Sequence, residues 1–161
     1  MTIKAGDRIP SVTLHEMGAD GPQPVTTDDL CRGRRVVLFG VPGAFTPTCS
    51  NAHVPGFLAN AHAIRAKGVD EIACLSVNDA FVMGAWANAQ NTGTELRMLA
   101  DGDGTFAEAA GLVLDLTGHG LGVRSQRFAI VANDGVVESV EIEPDPTQAE
   151  ATGAARTLEH L

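Results

Sequence analysis

The 161-residue sequence is short of cysteine, of basic residues and of long apolar runs. Three cysteines without a pairing pattern do not make a disulfide scaffold and fit a reducing compartment. Eleven basic residues against 20 acidic ones give a formal charge of −9, which argues against nucleic acid or an anionic membrane as a partner. No run reaches membrane-spanning length, and Met1–Asp7 has no apolar signal core. We therefore expect a cytoplasmic protein.

The composition that remains is typical of one globular domain. Apolar residues make up 44% of the chain and charged residues 19%. A chain of this length can bury a substantial core, so we expect a single domain over residues 1–161.

The most informative stretch runs from an apolar segment to a cysteine. Val36 to Val41 are apolar apart from Gly40 and are followed by Pro42-Gly43, which predicts a core strand that ends in a turn. Pro47 suits a first helical turn, and apolar residues then follow at helical spacing. Cys49 is therefore predicted to lie in the first turn of a helix. Unpaired backbone N–H groups and the helix dipole favour a thiolate there, in an exposed, electropositive position.

The rest of the chain predicts alternating strands and helices. Pro55 is expected to kink the helix after Cys49 or to mark an irregular start. The other expected elements are an early strand at 9–14, a surface turn at 18–24, a capped helical turn at 26–30, a core strand at 71–77, a helix capped by Asn78 or Asp79, a strand at 96–99, a short helix at 105–110, a hairpin about 133–135, and a final helix at 147–161.

This order is that of an α/β protein with a thioredoxin-like fold, a central mixed sheet flanked by helices. The strand and helix between Leu96 and Ala110 form one extra insert. Thr46-x-x-Cys49 occupies the place where thioredoxins carry Cys-x-x-Cys, so no local disulfide can form. We expect chemistry on one sulfur, whose oxidised form finds its reductant elsewhere.

Pro42-x-x-x-Thr46-x-x-Cys49 resembles the active-site signature of the peroxiredoxins. The longer string from Phe39 to Ser50 resembles the type II, or peroxiredoxin-5-like, group. Three downstream blocks extend this resemblance: His53–Phe57, Cys74–Asp79 and Arg127-Phe128. It implies a peroxidase that reduces hydrogen peroxide and alkyl hydroperoxides through Cys49, in antioxidant defence and without a cofactor or metal.

Several roles are implied by this resemblance. Cys49 would form a sulfenic acid, Thr46 would hydrogen-bond the peroxide, and Pro42 would shield the sulfur from water. An arginine suits the developing negative charge, because it stays charged and presents a fork of donors. The resemblance favours Arg127, but spacing alone does not separate it from Arg124.

The sequence leaves open which thiol reduces the sulfenic acid of Cys49. Plant type II relatives use a cysteine in the position of Cys74 as the resolving residue, yet Cys74 lies mid-strand in an apolar run. A disulfide between Cys49 and Cys74 would require their Cα atoms to lie within roughly 7 Å. We favour external reduction by glutathione with glutaredoxin, with thioredoxin as the competing reductant. Cys31 has basic neighbours that could activate it, but an inert turn cysteine is favoured.

His53 follows Cys49 by four residues, which places both on one helix face. We expect a polar supporting role near the pocket. The alternative is a thioredoxin-like module without enzymatic activity that uses Cys49 and His53 for metal delivery or protein binding, although two ligands are too few for a closed zinc site. The resemblance also implies a homodimer, formed through the surface near Phe45 and the helix that carries Phe81.

Overall fold

The computed structural model describes residues 1–161 and contains a seven-stranded mixed sheet with helices on both faces. This arrangement confirms the predicted α/β, thioredoxin-like architecture. The strands are β1 (Thr13–Gly18), β2 (Gly21–Thr26), β3 (Arg35–Val41), β4 (Glu71–Ser76), β5 (Arg97–Ala100), β6 (Val113–Leu116), β7 (Gly122–Ser125), β8 (Phe128–Asn133) and β9 (Val136–Ile142). The helices are α1 (Thr27–Cys31), α2 (Val54–Ala66), α3 (Ala80–Gln90), α4 (Thr105–Ala109) and α5 (Ala154–Glu159), with a π-helical turn, Cys49–His53, directly before α2.

The sheet has the strand order β2-β1-β5-β4-β3-β8-β9. The three central strands β5, β4 and β3 are parallel, whereas β8 runs antiparallel to β3. The predicted strand–helix insert is thus β5 and α4, and its strand lies inside the sheet rather than beside it. The segment that carries Cys49 leaves from the carboxyl end of β3, where open α/β sheets commonly place their sites.

Strand β3 is buried on both faces and separates two apolar clusters. Val37, Phe39 and Val41 face the cluster formed with α2, α3 and α5, and this cluster also contains Cys49 and Cys74. Val36 and Leu38 face the second cluster, which packs against α1 and α4 and contains Cys31. A fully buried strand of this kind gives the continuous apolar run seen in the sequence.

Two local features fix the place of β8 between β3 and β9. Gly40 pairs with Phe128, and a Cβ at position 40 would overlap the Phe128 ring, so only glycine fits there. Asp134 and Gly135 both have positive φ and join β8 to β9, which confirms the predicted hairpin. This hairpin places Arg127, the residue before β8, opposite the residue that follows β9.

Three predicted elements are wrong in their position or type. The early strand begins at Thr13 rather than Ile9, and the expected turn at 18–24 instead enters β2. Pro22 and Pro24 lie on this strand, which the sheet tolerates because β2 is an edge. The final helix begins only after Gly153, since the preceding residues form an irregular segment.

One element was not expected at all. Strands β6 and β7 form a separate two-stranded hairpin on either side of a glycine-rich loop. The longest helix has 13 residues, and none combines the length and the apolarity needed to cross a bilayer.

Candidate active site

Cys49 lies at the start of a helical segment, as predicted. The chain leaves β3 at Val41, turns, and becomes helical at Pro47. From Cys49 to His53 the helix is π-helical, and the Val54 N–H donates to the Cys49 carbonyl five residues back. Pro55 has no N–H to donate at the start of α2, which fits the irregular start that it predicts. Single π turns of this kind often occur at functional sites.

The Cys49 side chain is buried, so the expectation of an exposed thiol is wrong. The residue has 0% relative exposure and belongs to the apolar cluster that includes Val54 and Phe57. Its helical turn packs against the sheet, which places the sulfur beneath the surface. The expected electropositive surroundings are nevertheless present, because the Arg127 guanidinium donates to Cys49 Sγ at 3.2 Å.

Arg127 is almost completely buried, at 2% exposure, and forms no ion pair with a carboxylate. Besides the contact with Cys49, its Nη1 donates to His53 Nδ1 at 2.9 Å and its Nε to the Pro146 carbonyl at 3.2 Å. These contacts use three of its five N–H groups. A buried cation is costly without a negative partner, and the Cys49 sulfur is the group placed to become one.

Arg124 has a different environment. Its Nε donates to the Leu121 carbonyl at 2.8 Å, and its Nη1 lies 3.5 Å from the Pro42 carbonyl. It supports the loop after β3 and does not contact Cys49. The structure therefore separates the two arginines that spacing alone left equivalent.

The two contacts of His53 fix which of its ring nitrogens carries the proton. Arginine can only donate, so Nδ1 is the acceptor, and Nε2–H donates to the Thr152 carbonyl at 2.9 Å. Burial first, and then the Arg127 charge, lower the pKa of His53 to about 4, against the opposing effects of the Thr152 carbonyl and Glu143. The imidazole is therefore neutral at physiological pH, and it joins Arg127 to Thr152.

Thr46 and Pro42 border a cleft of about 510 Å³ beside Arg127. The Thr46 hydroxyl donates to the Gly43 carbonyl at 2.7 Å, so its oxygen is left to accept a hydrogen bond from a molecule in the cleft. Leu116 and Leu121 from the β6–β7 hairpin also line it. The cleft thus combines polar groups with apolar side chains.

The two remaining cysteines lie in apolar surroundings. Cys74 lies in the middle of β4, and burial, followed by the negative charge of Cys49, raises its pKa well above the usual value, although Arg127 acts in the opposite direction. Burial, followed by the charges of Asp28 and Asp134, raises the pKa of Cys31 to about 11. The basic neighbours of Cys31 therefore do not activate it, and the inert interpretation is favoured.

The Cys49 and His53 pair does not form a metal site. The guanidinium of Arg127 donates to both residues, so a positive charge already occupies the space between them. No cluster of three or more potential metal ligands exists anywhere in the chain. The metal-delivery alternative is not favoured.

Some residues of this region could not be found from the sequence. The carbonyl groups of Pro146, Thr147 and Thr152 accept hydrogen bonds from Arg127, Thr48 and His53, across as many as 99 positions of sequence. Backbone acceptors carry no side-chain signature. The β6–β7 hairpin that lines the cleft was also missed, because the sequence of Gly118–Gly122 predicts only a loop.

Comparisons with known proteins agree with the fold and the sequence motifs. The Redoxin family profile matches residues 4–158. Peroxiredoxin-2C from Oryza sativa subsp. japonica is 48% identical over 160 residues, which cover 99% of this chain and 98% of the rice protein. A structure of reduced Prx3 from Vibrio vulnificus in complex with H2O2 is 46% identical, covers 98% of each chain and has a TM-score of 0.93. Peroxiredoxin 5 from Alvinella pompejana is 37% identical with a TM-score of 0.85, covering 98% of this chain and 97% of that structure.

Proposed function

Since the chain belongs to the peroxiredoxins, thiol-dependent peroxidases with an antioxidant function, we propose that Cys49 is the thiol that reacts with the peroxide. The observation that carries this proposal is the contact between Cys49 Sγ and the buried Arg127 guanidinium. A preorganised cation beside the sulfur favours its ionised form, which is the nucleophile. Neither Cys31 nor Cys74 accepts a hydrogen bond from a charged donor.

The reaction then proceeds in one displacement. The Cys49 thiolate attacks the terminal oxygen of R–O–OH, the S–O bond forms, and the O–O bond breaks. The sulfur becomes a sulfenic acid, and the alkoxide or hydroxide that leaves takes up a proton to give an alcohol or water. Arg127 stabilises the charge on the leaving oxygen, the Thr46 oxygen accepts a hydrogen bond from the peroxide, and Pro42 keeps water from the sulfur.

The cleft fits both hydrogen peroxide and alkyl hydroperoxides. The polar groups lie near Thr46 and Arg127, whereas Leu116 and Leu121 offer an apolar surface for an alkyl chain. No step requires a metal or an organic cofactor.

Glutathione with glutaredoxin is the proposed reductant. Cys74 is deeply buried in the sheet, and the chain has no cysteine in the 143–152 segment. An external thiol needs access only to the sulfenic acid. The test is a peroxide-consumption assay with glutathione and glutaredoxin in one arm and thioredoxin in the other. Faster turnover in the glutaredoxin arm supports the proposal, whereas turnover seen only in the thioredoxin arm would refute it.

We also propose a cytoplasmic homodimer. Phe45 and Phe81 are 55% and 66% exposed, large values for aromatic side chains, and Phe45 takes a left-handed φ of 63° that is unusual for this residue type. Phe45 lies beside Trp86 of α3, the helix that also carries Phe81. Sedimentation of the reduced protein should give a dimer mass, and a strictly monomeric mass at high concentration would contradict it.

A further inference from the structure

Glu143 is a buried carboxylate outside the peroxiredoxin motif, at the point where β9 ends. Its backbone N–H donates to the Arg127 carbonyl at 2.9 Å, which extends the β8–β9 pairing by one step. Its side chain turns toward the irregular segment that follows. Glu143 is thus joined by its own backbone to the residue that contacts Cys49.

The carboxylate accepts four hydrogen bonds from one short stretch of chain. Oε1 accepts from the backbone N–H groups of Glu150 and Ala151, each at 3.2 Å. Oε2 accepts from the Thr152 N–H at 3.0 Å and from the Thr152 hydroxyl at 2.8 Å. Only an ionised carboxylate offers acceptors on both oxygens, so no neutral side chain can replace this set of contacts.

The segment that follows Glu143, residues 144–152, contacts the active site at three points. The Pro146 carbonyl accepts from Arg127 Nε, the Thr147 carbonyl accepts from the Thr48 hydroxyl, and the Thr152 carbonyl accepts from His53 Nε2. The segment has no regular secondary structure of its own. Glu143 fixes the end of this segment at Glu150–Thr152, whereas nearer its start the Asp145 carboxylate accepts from the Thr147 N–H and hydroxyl.

We propose that Glu143 is a positioning residue for peroxide reduction, which acts by fixing the Glu150–Thr152 end of this segment so that the Thr152 carbonyl orients His53, and through His53 also Arg127, toward Cys49. The inference rests on the proposed role of Cys49 and adds a residue to it. Glu143 does not touch the sulfur. Its effect passes from Thr152 to His53 Nε2, through the ring to Nδ1, and on to the guanidinium.

The first test measures oxidation of Cys49 directly. Reduced protein is mixed with hydrogen peroxide without any reductant, and the fluorescence of Trp86, whose indole N–H donates to Ser50 next to Cys49, reports the reaction. In Glu143→Gln one side-chain oxygen becomes an NH₂ group that faces N–H donors. We expect Cys49 to be oxidised about tenfold more slowly in this variant. This is the low end of the loss of activity that follows when supporting hydrogen bonds are removed from functional residues such as metal ligands. Glu150→Gln removes the same charge from an exposed side chain of the same segment and should react like the wild type.

A matched pair at Thr152 keeps the test decisive if Glu143→Gln does not fold. Thr152→Val removes only the hydroxyl donor to Glu143, whereas Thr152→Ser keeps it. We expect the valine variant to oxidise about threefold more slowly and the serine variant to match the wild type. If every variant that folds, Thr152→Val included, stays within about twofold of the wild-type rate, the inference is overturned.

The ¹⁵N signals of the His53 ring distinguish positioning from a general loss of stability. In the wild type the ring should show one tautomer, protonated at Nε2, and the signals are assigned by their absence in His53→Gln. In folded Glu143→Gln the two tautomers should mix, while Glu150→Gln should keep one. An unchanged His53 spectrum together with a slowed reaction would contradict the proposed route. If the wild-type Cys49 does not react with peroxide, the proposed function fails and this inference fails with it.

Discussion

Cys49 and Cys74 lie in the same apolar cluster, and both are completely buried, yet their surroundings differ in one contact. Cys49 Sγ accepts a hydrogen bond from the Arg127 guanidinium, whereas Cys74 lies mid-strand, in register with Phe39 and Met98, and accepts no hydrogen bond from a charged donor. Burial raises the pKa of Cys74 well above its usual value. Burial is thus common to both thiols, and the buried Arg127 cation, which has no carboxylate partner, is what distinguishes the surroundings of Cys49.

The largest expected effect is that of removing the Cys49 sulfur. Cys49→Ser should reduce peroxide turnover to the background rate, since neither of the other thiols has a cationic donor. Cys31→Ser is the matched control, because it makes the same substitution at another buried cysteine, in the second apolar cluster. The measurement is steady-state peroxide consumption. Activity that persists in Cys49→Ser would remove the basis of the comparison.

The second largest expected effect is that of removing the Arg127 guanidinium. Arg127→Ala should slow the oxidation of Cys49 by about 10²–10³-fold, the usual cost of losing a preorganised donor to developing charge. Arg124→Ala removes an equal charge from the same region without touching the sulfur, so its rate should fall far less. Stopped-flow oxidation by hydrogen peroxide compares the two. The reverse order would show that Arg124 is the functional arginine.

His53 should make the free energy of unfolding depend on pH. Its pKa in the folded protein, about 4, lies below the ordinary value of about 6.5, so the unfolded chain takes up a proton first as the pH falls. The free energy of unfolding should therefore be unaffected by this residue above pH ~6.5 and should decrease from there to pH ~4, by at most about 3 kcal/mol. His53→Gln can keep both hydrogen bonds and does not titrate.

Urea unfolding at several pH values measures this effect. The wild type should lose more stability than His53→Gln between pH ~6.5 and pH ~4, and the two curves should run parallel above that window. Parallel curves throughout the window would mean that folding does not lower the pKa of the His53 ring, contrary to its burial beside Arg127.

The smallest expected effect on activity is that of Cys74→Ser. Turnover with glutaredoxin should stay within about twofold of the wild type, while the free energy of unfolding should fall by about 1–3 kcal/mol, because a hydroxyl is buried in an apolar strand. Mass spectrometry of the oxidised wild type supplies the control. Loss of turnover together with a Cys49–Cys74 disulfide would establish Cys74 as the resolving residue.

The sequence predicted the parts of the site that local pattern encodes. Pro47 and the apolar spacing after Cys49 placed that residue at a helix start, and the four-residue separation placed His53 on the same face. Arg127 was favoured over Arg124 only by resemblance to the peroxiredoxins, since its contact with Cys49 spans 78 positions and leaves no trace in spacing. The burial of Cys49 was missed for a similar reason, because it depends on how the helical turn packs on the sheet.

Other predictions were wrong because the fold overrode the usual structural preference of a residue. Pro22 and Pro24 suggest a turn, but an edge strand tolerates proline because one side of its backbone has no partner strand. The residues before Gly153 suggest a helix, yet Glu143 draws their N–H groups into hydrogen bonds with its carboxylate. A carboxylate that reorganises a segment seven to nine positions further on leaves no periodic pattern to detect.

We propose that contact with Arg127, rather than exposure, selects the reactive thiol. The most direct test is to treat the reduced protein with one equivalent of hydrogen peroxide, trap sulfenic acid with dimedone, and locate the adduct by mass spectrometry. We predict an adduct on Cys49 alone in the wild type and in Arg124→Ala, and a strongly reduced yield at the same reaction time in Arg127→Ala. An adduct on Cys31 or Cys74, or an undiminished yield in Arg127→Ala, would contradict the proposed role of Arg127.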